Sequence, residues 1–163
     1  MGKKVAIIMG SDSDLPVVRP AIKILEKFDV EYEVHVMSAH RTPEIAANFA
    51  KTAEENGFGV IIGAAGKAAH LPGVLAAFTV LPVIGLPIKS STMDGLDSLL
   101  SIVQMPKGIP VATVALDGGE NAGLLAVQIL SGEFPQLRDK MRQYKTDMAN
   151  EVIEKDKQLA GQL

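Results

Sequence analysis

The chain has 163 residues, no cysteine, 21% charged and 4% aromatic side chains, and a net charge of −3. These values exclude disulfides, thiolate nucleophiles and cysteine-ligated zinc. They also argue against nucleic acid, which calls for a basic surface or stacking aromatics. A chain of this length buries roughly 70% of its unfolded surface, so one domain over residues 1–163 is expected.

Met1-Gly2-Lys3-Lys4 leads into an apolar run at 5–9, too short for a signal-peptide core and without a cleavage site. No apolar segment reaches 18 residues without a charge or breaker, so no membrane helix is expected and the chain reads as cytoplasmic. Gly10-Ser11-Asp12-Ser13-Asp14 follows, and a helix opens near Asp14. In the run 31–37, Tyr32, Val34 and Val36 alternate with Glu31, Glu33 and His35, the pattern of an edge strand with one wet face. After Ser38-Ala39-His40-Arg41, Thr42-Pro43-Glu44 reads as N-cap, first-turn proline and first-turn acid. That helix is expected to run to about Asn56, with Gly57 as its stop.

Further apolar runs lie at 60–62, 83–86 and 111–116. Between them come the segment Gly66-Lys67-Ala68-Ala69-His70-Leu71-Pro72-Gly73, a helical stretch from Asp94-Gly95 to before Pro106, and a helix over 119–132. From Pro135 to about Leu159, the residues Leu137, Met141, Tyr144, Met148 and Val152 form one helical stripe on an otherwise charged segment. Such a helix is longer than one face of a small sheet, so part of its stripe is expected to pack on another subunit. The alternative is a terminal helix lying on its own domain. The division is then an αβα core at 1–132 and a helical extension for assembly at 133–163.

Alternating strands and helices imply an α/β fold: a three-layer αβα sandwich around a parallel five-stranded sheet. An edge position for the second strand gives the flavodoxin-like order 2-1-3-4-5, whose switch point lies between strands one and three. Ligands bind at that crevice, so the loops after these strands form the expected site. In the first loop, Ser11 and Ser13 offer hydroxyls to a phosphate at a helix start, and Asp14 suits ribose hydroxyls or simple capping. In the second, His40 lies in a polar loop at a strand end, where an imidazole can give and take protons near neutrality. Arg41 beside it is a fixed cation for phosphate or carboxylate, or half of a solvated surface pair. The third loop is rich in Gly and Ala but lacks the G-x-x-x-x-G-K-[ST] spacing, which disfavours ATP hydrolysis. His70 there is a ligand contact or a helix-start residue. Histidines at 35, 40 and 70 without accompanying carboxylates give no metal constellation, and no G-x-S-x-G elbow is present.

Together with Gly95-Leu96-Asp97-Ser98-Leu99-Leu100-Ser101-Ile102-Val103-Gln104-Met105-Pro106, these segments resemble the bacterial N5-carboxyaminoimidazole ribonucleotide mutase family of purine biosynthesis. The resemblance runs through nearly the whole chain in order and spacing. It implies conversion of N5-carboxyaminoimidazole ribonucleotide to 4-carboxy-5-aminoimidazole ribonucleotide without metal, ATP or organic cofactor. By the same resemblance His40 is the acid and base. Ser11, Asp14 and Arg41 match its nucleotide-binding residues, and Gly66, Ala69 and His70 the loop lining the base and carboxylate; Ser13 and Ser38 beside them are further substrate-binding candidates. It further implies a homo-oligomer, an octamer, with active sites at subunit junctions. In the third loop Ala64 and Lys67 stand where the family usually has glycine, so a positive φ at either position would strain this loop. The rival activity is direct carboxylation of aminoimidazole ribonucleotide by CO2, disfavoured by the run Ala68-Ala69-His70-Leu71-Pro72-Gly73. A flavin-binding or receiver module would need flanking aromatics, or a matching acidic pocket, that these loops lack.

Overall fold

The computed structural model describes residues 3–162; Met1, Gly2 and Leu163, the ends of the expected domain, lie outside the described residues. Strands β1 (Lys4–Met9), β2 (Tyr32–Val36), β3 (Phe58–Gly66), β4 (Val83–Ile88) and β5 (Ala112–Thr113) form one parallel sheet in the order β2-β1-β3-β4-β5. Six α-helices accompany them: α1 (Leu15–Lys27), α2 (Pro43–Thr52), α3 (Leu71–Phe78), α4 (Leu96–Val103), α5 (Gly119–Leu130) and α6 (Pro135–Ala160).

Successive strand side chains point to opposite faces, and both faces are covered, which explains why the central strands are apolar throughout. Val5, Ile7, Val60, Ile62 and Ile84 pack with Val18, Leu25, Ala122 and Ala126 on the side of α1 and α5. Ala6, Ile8, Ile61 and Val83 pack with Ala46, Ala50, Leu75 and Ile102 on the side of α2, α3 and α4. The flavodoxin-like architecture is therefore present as expected.

Three expectations change in detail. The third strand runs from Phe58 to Gly66, not over three residues, because Gly63 and Ala64 pair with both β1 and β4, and Ala65 and Gly66 continue the β4 ladder. Small size suits them: a Cβ on Gly63 would sit 3.1 Å from Pro72 Cα of α3. The fifth strand is two residues long rather than six. Pro87 in β4 has no N–H to donate; its carbonyl still accepts from Asp117 N at 2.9 Å, but the ladder on that side cannot continue. The second strand is at the edge, yet its polar face is not simply wet. Glu33 binds Lys4 and His35, and the His35 ring lies 5.4 Å from that of Phe49, whereas Val36 is 52% exposed.

The helix stop at Gly57 is as expected. Regular α2 ends at Thr52, and one further turn closes through Phe58 N to Ala53 O and Gly57 N to Glu54 O, with Gly57 at φ +83°. That is a left-handed glycine cap. The terminal stripe divides. Leu137, Met141 and Tyr144 are buried against the domain, while Met148 and Val152 are 42% and 65% exposed. No described helix is long and apolar enough to cross a membrane.

Candidate active site

The carboxyl ends of β1, β3 and β4, with the loop from β2, enclose a cleft of about 740 Å³. Each wall has a local cause.

Behind β1, Ser11 caps a short 3-10 turn at Asp12–Asp14 that leads into α1. Its Oγ accepts from Ser13 N at 3.3 Å and from the Ser13 hydroxyl at 2.9 Å. Asp14 Oδ2 in return accepts from Ser11 N at 3.2 Å, completing a capping box. Burial raises the Asp14 pKa above its ordinary value, opposed by the Ser11 N–H and assisted by the neighbouring Asp12 charge. The carboxylate is thus half removed from water at a position open to ligand.

Behind β2, the expected Thr42 side-chain cap does not form, because the hydroxyl turns the other way. Thr42 Oγ1 donates to Ser38 O at 3.1 Å and accepts from Ser38 N at 2.9 Å. The Ser38 hydroxyl oxygen accepts from His40 N at 3.3 Å and Arg41 N at 3.1 Å. Ser38 therefore fixes the backbone that presents His40 and Arg41. Arg41 reaches across to donate to Gly10 O at 3.0 Å, tying this loop to the first.

Behind β3, residues 67–70 form a tight turn with His70 N donating to Ala68 O at 2.8 Å; Leu71, Pro72 and Gly73 already belong to α3. His70 Nδ1 lies 2.8 Å from His40 Nε2, with the rings edge to face at 5.0 Å between centroids. This contact survives only while at least one of the two facing nitrogens lacks a hydrogen. Both rings are exposed and line the polar cleft. Lys67 has φ +55°, so one of the two replaced glycines does occupy a left-handed position. Ala64 does not: it is fully buried within β3 and pairs with Met9 and Leu86.

Ser11, Ser13, Asp14 and Ser38 all line the cleft, as do His40, Arg41, Gly66 and His70. Ala69 does not; it is 1% exposed and packs in the core with Ala46, Leu71 and Leu75. The fourth wall escaped sequence reasoning: Ile88, Lys89, Ser90 and Ser91 at the end of β4. Lys89 Nζ pairs with Asp94 at 2.7 Å, and Ser90 Oγ donates to the Asp97 carboxylate at 3.0 Å. Their signal was positional, since β4 neighbours β3 and its end must border the same crevice. Among the described residues no group of three His, Asp or Glu side chains is placed to hold a metal ion.

The family model for AIR carboxylase matches residues 4–151. The N5-carboxyaminoimidazole ribonucleotide mutase of Pyrococcus abyssi is 64% identical over 145 residues, spanning 89% of this chain and 83% of that one. The protein of the same name from Pyrococcus horikoshii is 62% identical over 155 residues, spanning 95% and 88%. Among solved structures, Treponema denticola PurE superimposes with a TM-score of 0.87 at 31% identity, covering 95% of this chain and 97% of that one.

Proposed function

The chain belongs to the AIR carboxylase family, and we propose that it acts as an N5-carboxyaminoimidazole ribonucleotide mutase of purine biosynthesis, with His40 as its acid and base. The observation that carries this reading is the His40–His70 pair, 2.8 Å apart, at a cleft sized for a nucleotide.

Protonated His40 gives its proton to the carbamate nitrogen. The N–C bond breaks with its electron pair returning to nitrogen, and CO2 is released. The freed amino group enriches C4, which attacks the carbon of the trapped CO2 to form a C–C bond. C4 now carries both the new carboxylate and its original hydrogen. Neutral His40 removes that hydrogen as a proton, restoring the aromatic ring and its own starting state. Protons balance over the cycle, so one histidine suffices. Enclosure of CO2 keeps its effective concentration high. His70, by holding the His40 ring, limits the geometries from which the proton moves.

The remaining assignments follow the walls. Ser11, Ser13 and Arg41 receive the phosphate end, and Asp14 the ribose hydroxyls. The Gly66 backbone and His70 border the base, and Ser38 shapes the loop that carries His40. The reaction as written needs no metal, ATP or organic cofactor. A single domain acting in the cytoplasm as a homo-octamer, with the exposed half of α6 at subunit contacts, completes the reading.

His40→Asn tests it. The variant should fold and assemble normally, while turnover falls by about 10²- to 10⁴-fold, the range of a lost general acid–base. Turnover close to wild type would remove His40 from the chemistry.

A further inference from the structure

Lys67 sits where a side chain is costly. Three of the five non-glycine residues at positive φ are aspartates (Asp29, Asp94 and Asp117), a type that tolerates the left-handed region; Lys67, at φ +55°, has no such excuse. Backbone strain of this kind persists where the surroundings enforce it, and it gathers at ligand clamps. Here it turns a long cation into the nucleotide cleft.

The strand register says what that cation faces. Gly66 pairs with Ile88, so Lys67 and Lys89 leave the sheet side by side at its carboxyl edge. Lys89 is neutralised by Asp94 at 2.7 Å. Lys67 makes no ion pair among the described residues. On the other flank Arg41 is anchored to Gly10, beside the Ser11–Asp14 turn. The cleft therefore has two cationic ends, one at β1 with hydroxyl and N–H donors, the other at β3. Lys67 also shares its four-residue loop with His70, the partner of His40, so the second end is the one beside the proton-transfer group.

We infer that Lys67 is a specificity-determining residue whose ammonium takes the carboxylate that separates substrate and product from the bare aminoimidazole nucleotide. The inference rests on the carboxyl-shift reading of this site. It gives the enzyme a reason to retain carboxylated nucleotides while the decarboxylated intermediate binds less tightly.

Equilibrium binding of 4-carboxy-5-aminoimidazole ribonucleotide and of aminoimidazole ribonucleotide, measured calorimetrically at one ionic strength, tests it with Lys67→Gly, Lys67→Ala and Lys67→Arg. Glycine is at ease at this φ and alanine is not, so the two separate charge from backbone geometry. Both should weaken the carboxylated ligand about tenfold or more, as expected for a lost charge-assisted contact, and leave the other within about twofold. Lys67→Arg should restore most of the loss. An equal loss for both ligands, no loss for either, or a loss in only one of the Gly and Ala variants would overturn the inference. A wild-type protein that binds neither nucleotide would instead remove the carboxyl-shift reading, and this inference with it.

Discussion

Asp14 shows how a single side chain reports function through its own discomfort. Burial raises its pKa, so the folded chain takes up a proton there more readily than the unfolded chain does. The charged form is therefore a penalty above the folded pKa, relieved as pH falls from that value toward 3.8, the unfolded reference. Asp14→Asn keeps an oxygen to accept from Ser11 N but removes the charge. It should be at least as stable as wild type at pH 7 in denaturant titrations, and lose the acid-side gain. Its affinity for the nucleotide should fall about ten- to a hundredfold, the worth of a charge-assisted hydrogen bond. A less stable variant with unchanged affinity would make Asp14 a capping residue only. At this scale polar residues at strand ends pointed to the cleft for His40, Arg41 and His70, but Lys89, Ser90 and Ser91 at the end of β4 were missed. The sequence was silent where a residue's role depends on which way the chain turns: Ala69 points into the core, and Thr42 aims back at Ser38 instead of capping its helix.

Between elements, the site depends on how closely α5 lies against α1. A Cβ on Gly119 would fall 2.2 Å from Val17 O, and one on Gly123 2.9 Å from Ala21 O, so these glycines permit backbone-to-backbone approach. Because α1 begins at the Ser11–Asp14 turn, any displacement of α1 displaces that wall of the cleft. Gly119→Ala should destabilise the fold by about 2–3 kcal/mol, as overpacking does, and raise the substrate KM. Wild-type stability and KM would show that the contact relaxes freely. The helices and strand order were legible because short apolar runs alternate with helical patterns, and only the second run shows the period-two alternation of an edge strand. Strand ends were not: Gly63 to Gly66 looked like loop until β4 paired with all four and β1 with the first two, and Pro87 cut β5 short from the adjacent strand. Both effects are tertiary, and no local pattern announces them.

For the whole molecule, α6 spans 26 residues, roughly 39 Å at about 1.5 Å each. Its first half is anchored, with Tyr144 donating to Glu120 at 2.8 Å, while Met148, Val152, Ile153 and Leu159 remain exposed. The stripe read from sequence thus continues past the surface of its own domain, as its length implied. Paired Met148→Lys and Val152→Lys changes should lower the native mass in sedimentation without loss of helical signal; an unchanged mass would free α6 from any assembly role. Two candidate substrates, supplied separately, distinguish the mutase from a direct carboxylase. Formation of 4-carboxy-5-aminoimidazole ribonucleotide, without ATP or metal, is followed from fresh N5-carboxyaminoimidazole ribonucleotide at low bicarbonate, and separately from aminoimidazole ribonucleotide with added bicarbonate. Fast product from the carbamate and little from the second mixture is the predicted result. Efficient product from aminoimidazole ribonucleotide and bicarbonate, with none from the carbamate, would contradict it.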